Sequence, residues 1–169
     1  DILRAQNDLV GTAPGASCVR QTRKSCDLHC WGAGSATGHD QSAIDYGRAA
    51  NPVSAAPPLA FSDTLPIVQV VGSVDAAVNR AFCAVFANGG VRCWGENAFG
   101  MFGSDTADQA GTGTGRALSA VDYIQFGDSV PVRRLSRMHR HICAVFMNAR
   151  IRCWGDATTD HYSRLGYDF

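Results

Sequence analysis

The sequence predicts an all-β protein of about three small sheets, arranged as propeller blades or as a stacked array. Two near-copies of one phrase carry this reading: "CAVFANGGVRCWG" at 83–95 and "CAVFMNARIRCWG" at 143–155. In both, β-branched and aromatic residues alternate at period two, the period of a strand and not of a helix. Eighteen glycines and six prolines supply turns between many short strands.

Each copy reads as a hairpin. Ala87-Asn88-Gly89 is a three-residue loop in which Asn or Gly can take the left-handed conformation such loops require. Folding about Asn88 sets Val85 opposite Val91 and Cys83 opposite Cys93. Folding about Asn148 sets Val145 opposite Ile151 and Cys143 opposite Cys153. Both cysteine pairs then fall at non-hydrogen-bonded positions, where Cα atoms approach to about 4.5 Å, inside the range a disulfide tolerates. Structural disulfides are expected in preference to reduced core thiols, and a catalytic dithiol fits poorly because redox motifs favour C-x-x-C at a helix start.

Alternation sorts the faces. Cys83, Val85, Val91 and Cys93 share one; Ala84, Phe86, Arg92 and Trp94 share the other. Both are apolar, so each sheet must be sandwiched. A looser copy, "CVRQTRKSCDLHCWG" at 18–32, pairs Cys18 with Cys30 and leaves Cys26 as a free or intermolecular thiol. Cys-Trp-Gly recurs at spacings of 63 and 60 residues, which makes three units. Trp31, Trp94 and Trp154 hold one repeated position and are expected to pack between blades.

A Gly-rich turn follows each Cys-Trp-Gly, fullest in "WGENAFGMFG" at 94–103. Together these phrases resemble the RCC1-type β-propeller repeat, whose hairpin reads C-A-L-x-x-D-G-x-V-x-C-W-G and whose turn reads W-G-x-N-x-x-G-Q-L-G. The Cys-containing form is similar to that of extracytoplasmic members. The likeness is closest over 82–103, looser at 142–155 and loosest at 17–38, and it covers about half the chain. It departs from the family where a Gly-x-x-His precedes the hairpin: Val78 and Ala81 stand there in the second copy, Met138 and His141 in the third. The resemblance implies a partial propeller, since complete ones of this family have about seven blades. One domain over 1–169 is expected, with units at approximately 1–50, 67–119 and 120–169. Residues 51–66 form a Pro-rich linker, and 104–119 is a flexible-looking insert.

Formal net charge is zero, and no apolar run approaches the roughly 20 residues of a membrane helix. The chain starts at Asp1, so removal of an upstream segment is expected. None of the six Asn lies in a glycosylation sequon, which leans away from a glycosylated protein. "RRLSRMHRH" at 133–141 gathers Arg133, Arg134, Arg137 and Arg140, read as a protein-contact edge or a solvated face in preference to a nucleic-acid stripe. Cys18, Cys26, His29 and Cys30 could offer a metal four ligands, but they lack the paired C-x-x-C knuckles of zinc sites, and a Cys18–Cys30 bridge is preferred. His39-Asp40 and Asp160-His161 are adjacent pairs without a catalytic motif, and "GTGTG" at 111–115 follows no clear strand, so a phosphate cradle is not expected.

The function expected is therefore non-catalytic and without cofactor or metal: a structural or interaction subunit in an extracytoplasmic oxidising compartment. Its partners would be other protein subunits or a second copy of itself, reached through the Gly-rich turns and the arginines, with no nucleic acid. The alternative is a secreted binding or inhibitor protein that reads an enzyme or ligand through its loops. Nucleotide exchange on a small GTPase fits badly with paired cysteines.

Overall fold

The computed structural model describes residues 10–13, 15–20, 27–41, 43–62, 64–73, 80–103, 109–113, 115–127, 129–137 and 141–156. Among the described residues, nine strands form three antiparallel meanders. The first sheet holds β1 (Val10–Ala13), β2 (Ala16–Arg20) and β3 (Leu28–Gly32). The second holds β4 (Ile67–Gly72), β5 (Ala81–Phe86) and β6 (Val91–Gly95). The third holds β7 (Val132–Arg137), β8 (His141–Phe146) and β9 (Ile151–Gly155). Helix among the described residues amounts to one turn, α1 (Gly34–Thr37), and two 3-10 turns at Val53–Ala55 and Leu118–Ala120. No helix among them is long and apolar enough to cross a membrane.

The last two strands of each sheet are a Cys-bearing hairpin. Cys18 pairs with Cys30, Cys83 with Cys93 and Cys143 with Cys153, at Cα separations of 4.0–4.1 Å, and each pair is joined by a disulfide. Of the Asn and Gly that could take the left-handed conformation in the 87–89 loop, the glycine does, and the same position is left-handed in the third sheet's hairpin. The left-handed residue is Gly89 (φ +77°) in one loop and Ala149 (φ +68°) in the other. Asn88 and Asn148 instead hold the loops with side-chain oxygens that accept from Gly90 N–H (2.9 Å) and Arg150 N–H (3.2 Å). The glycine after each tryptophan is required too. Gly32, Gly95 and Gly155 sit at φ +100° to +125°, and a Cβ on Gly95 would overlap the Arg80 carbonyl.

The sheets stack along their first strands, β1 against β4 and β4 against β7. The arginine-rich run is one of these strands, with a bulge between Val132 and Arg134 that matches one between Ile67 and Gln69. At the first contact the backbones nearly touch: a Cβ on Gly72 would overlap the Thr12 carbonyl. Buried apolar side chains form two cores among the described residues, one in each seam. The Pro-rich 51–66 segment runs beside β3, bonding at Leu59 N–H to Leu28 O and at the bridge His29–Pro58.

Two substitutions test this backbone reading by chemical denaturation. Ala149→Gly relieves a left-handed alanine and should stabilise by roughly 1 kcal/mol. Gly72→Ala forces β1 from β4 and should destabilise by roughly 1–3 kcal/mol. An Ala149→Gly midpoint at or below that of the parent would contradict the turn assignment.

Candidate protein-interaction surfaces

One seam is built twice. In the first, the Cys18–Cys30 face meets Phe82, Phe86 and Trp94 of the second sheet. In the second, Cys83, Val85, Val91 and Cys93 meet Ile142, Phe146 and Trp154 of the third. The disulfide face of each sheet is thus roofed by the tryptophan face of the next. Connecting segments complete both seams. Phe61 packs edge-on to Phe86 and Trp94 (centroids 5.3 and 5.5 Å), and Phe126 packs likewise on Phe146 and Trp154 (5.1 and 5.3 Å). Arg92, nearly buried, lies 4.3 Å above the Tyr123 ring and donates to Ser62 Oγ at 2.9 Å.

The turns after the first two Cys-Trp-Gly phrases each reach the next tryptophan. A Cβ on Gly38 would lie 2.8 Å from Trp94 Cδ1, and Trp154 Nε1–H donates to Met101 O at 2.8 Å. Trp94 Nε1 has no such acceptor among the described residues. The first two turns, expected to contact partners, are therefore spent inside the stack. Trp31, on the first sheet, is half-buried and lies across Gly47 from Val53.

Polar latches tie the units. The Gln69 side chain takes both backbone groups of Leu135, accepting from its N–H at 2.7 Å and donating to its carbonyl at 2.8 Å. Arg137 donates to Thr12 O (2.6 Å) and Gly72 O (3.1 Å), joining all three first strands. Asp40 accepts from Leu118 N–H at 3.0 Å, and its own N–H donates to Gly111 O. Ser35 Oγ–H donates to Glu96 at 2.8 Å, and that carboxylate also accepts from Arg80 N–H.

The sequence-predicted residues separate accordingly. Arg137 serves the fold, whereas Arg133 and Arg134 are exposed on β7. Cys26, Arg140, Asp160 and His161 lie outside the described residues. Cys18 and Cys30 bond each other and His29 Nδ1 faces Ala56 O, so those thiols form a bridge and not a ligand set. Among the described residues, no group of three or more His, Cys, Asp or Glu could hold a metal ion. Of the GTGTG glycines, Gly111 packs against Gly38 and donates its N–H to Arg116 O, and Gly115 lies against the Gln109 backbone. Sequence reasoning missed an outer groove along 121–126. It consists of two cavities of about 300 Å³ that share Gly103, Ile124 and Gln125, with Arg116 and Asp122 at one end.

No protein-family model matches the chain, and no curated protein matches it. Solved structures do. Human WBSCR16 is similar at TM-score 0.58 and 18% identity, over 86% of this chain and 32% of that one. Prp20p of Saccharomyces cerevisiae, the yeast RCC1, is similar at 0.59 and 15%, over 94% and 34%. The ectodomain of the Arabidopsis thaliana receptor kinase ACR4 is similar at 0.52 and 14%, over 96% and 42%. The fold is that of a partial RCC1-like β-propeller with three blades, and the chain spans about a third of the length of WBSCR16 and Prp20p.

His39 supplies a pH test of the first unit. Its Nε2–H donates to Cys30 O at 2.9 Å and its ring meets Tyr46 edge-on at 4.9 Å. Burial, partly opposed by that hydrogen bond, holds the imidazole below its ordinary pKa of 6.5. The folded pKa is the lower one, so below pH 6.5 the unfolded chain takes up a proton that the folded ring refuses. This contribution is complete above the unfolded pKa, begins to fall below it and is lost as pH drops through the folded pKa. Denaturation midpoints at about pH 7.5 and about pH 5.5 should differ more for the parent than for His39→Gln. Equal differences would remove His39 as the cause.

Proposed function

We propose that the chain is a non-catalytic interaction subunit of a larger assembly in an oxidising compartment, engaging an acidic protein surface through Arg133 and Arg134. The observation that carries this reading is the pair of consecutive exposed arginines at the β7 bulge, on a strand latched by Gln69 and Arg137. A bulge interrupts the in–out alternation, which is how neighbours in sequence come to be exposed together. Guanidinium groups bind carboxylates in a two-point fork, and a rigid support lowers the entropy lost on binding. Zero net charge supports a protein partner over a polyanion.

Two comparisons support the setting. Prp20p was solved alongside its binding to Gsp1p and histones, so a fold of this kind can present protein-binding surfaces. ACR4 contributes an ectodomain, and three intrachain disulfides fit the same oxidising surroundings. The Cys-containing variant of the repeat belongs with this reading. A second reading, a binding or inhibitor protein that takes a ligand through its loops, is favoured by the outer groove, whose size reaches the lower bound for ligand sites.

The test is the native mass of protein extracted gently from its source, by light scattering after size exclusion without reductant. A species far above 18.0 kDa that contains other polypeptides is expected. Arg133→Glu with Arg134→Glu should release them, and raised salt should weaken the complex. A lone monomer, or a complex indifferent to both changes, overturns the reading.

A further inference from the structure

The two seams establish what covers each kind of sheet face in this molecule, and each end of the stack presents one face of that pair. At one end stands the disulfide face of the third sheet. Its Val145, Cys143 and Cys153 are half-buried, and Ile151 is 41% exposed where its counterpart Val91 is fully buried. Neither core includes these four residues. At the other end stands the tryptophan face of the first sheet, with Ser17, Val19, His29 and Trp31 half-buried and Val53 45% exposed beside it. We infer that these faces dock onto each other between copies of this chain, the disulfide face of the third sheet in one copy against the tryptophan face of the first sheet in the next.

Continuity with the internal seams identifies the occupant. A disulfide face here is roofed by the opposite face of the next hairpin, the one that carries the tryptophan following the second cysteine, and the first sheet has such a face, with Trp31 paired to Ser17 as Trp94 is to Phe82 and Trp154 to Ile142. A second copy brings the missing half of the seam to each end. The contact joins two different surfaces, so it is heterologous and propagates until a ring closes.

The end faces are also more polar than the seams inside. Arg134 replaces the Gln69 latch, and Ser136 stands where the second sheet has Val71. Ser17 occupies the place of Phe82 and Ile142. An amide both donates and accepts, as the backbone of Leu135 requires, but a guanidinium only donates. The end contact therefore lacks the bidentate clamp and part of the apolar area, which makes it reversible and dependent on concentration.

This inference rests on the reading of an interaction subunit and shares Arg134 with it, but it requires no acidic partner, and purified chain alone tests it. Sedimentation velocity without reductant, from about 1 to about 100 μM, should show mass rising with concentration. Ile151→Glu disables one end and Ser17→Glu the other, so each variant alone should stay at 18.0 kDa. Mixed in equal amounts, they should form a species of twice that mass, because each retains the end the other lacks. That recovery also shows that both variants are folded. A monomeric parent, a mixture that stays monomeric, or a Ser17→Glu variant that associates like the parent would each overturn the head-to-tail contact.

Discussion

A small β-hairpin that is apolar on both faces cannot remain in water alone, and this one requirement organises the molecule. Each hairpin offers a flat disulfide face and a bulky tryptophan face, and the two differ in shape. The flat face accepts large rings, and the ringed face would leave voids against another of its kind. Stacking with a fixed polarity follows, disulfide face under tryptophan face, in both seams. The disulfide keeps its own hairpin in register and limits the unfolded chain, worth about 2–3 kcal/mol for a loop of this size.

Apolar contact sets the order of the sheets, while hydrogen bonds set their spacing. Where β1, β4 and β7 converge, glycine at position 72 admits the Thr12 backbone and Arg137 spans the gap to both neighbours. Gln69 reproduces a strand-to-strand contact with its side chain, supplying a donor and an acceptor to one residue of the next sheet. Buried backbone groups in such narrow sheets would otherwise be left unpaired, at a cost of about 1–3 kcal/mol each. The first two turns after Cys-Trp-Gly serve the same end, and Asp40, at φ +56°, accepts a left-handed backbone while it caps Leu118.

Packing thereby takes up two of the loops that look most distinctive in the sequence. The first two Gly-rich turns are consumed by packing, while among the described residues the bulged arginine pair, the outer groove and the outward faces of the first and third sheets stay accessible. The two end faces repeat the plan of the seams with more polar residues, Ser17 standing where the seams have Phe82 and Ile142, and Ser136 where the second sheet has Val71.

The all-β class, the three hairpins, the facing cysteines and the two-faced character of each sheet were legible in the sequence, because alternation and cysteine spacing are local properties of a strand pair. Those pairings hold whatever the hairpin packs against. The sequence did not disclose that Asn88 and Asn148 would cap their loops while Gly89 and Ala149 took the left-handed turn, since both arrangements suit a three-residue loop. It could not separate Arg137 from Arg133 and Arg134, which look alike in a run of arginines. Only the approach of β1 and β4 to β7, across 65 residues of chain and more, places carbonyls within reach of one guanidinium and leaves the other two in solvent. Local pattern decided the pieces; long-range packing decided which polar side chains the fold would use for itself.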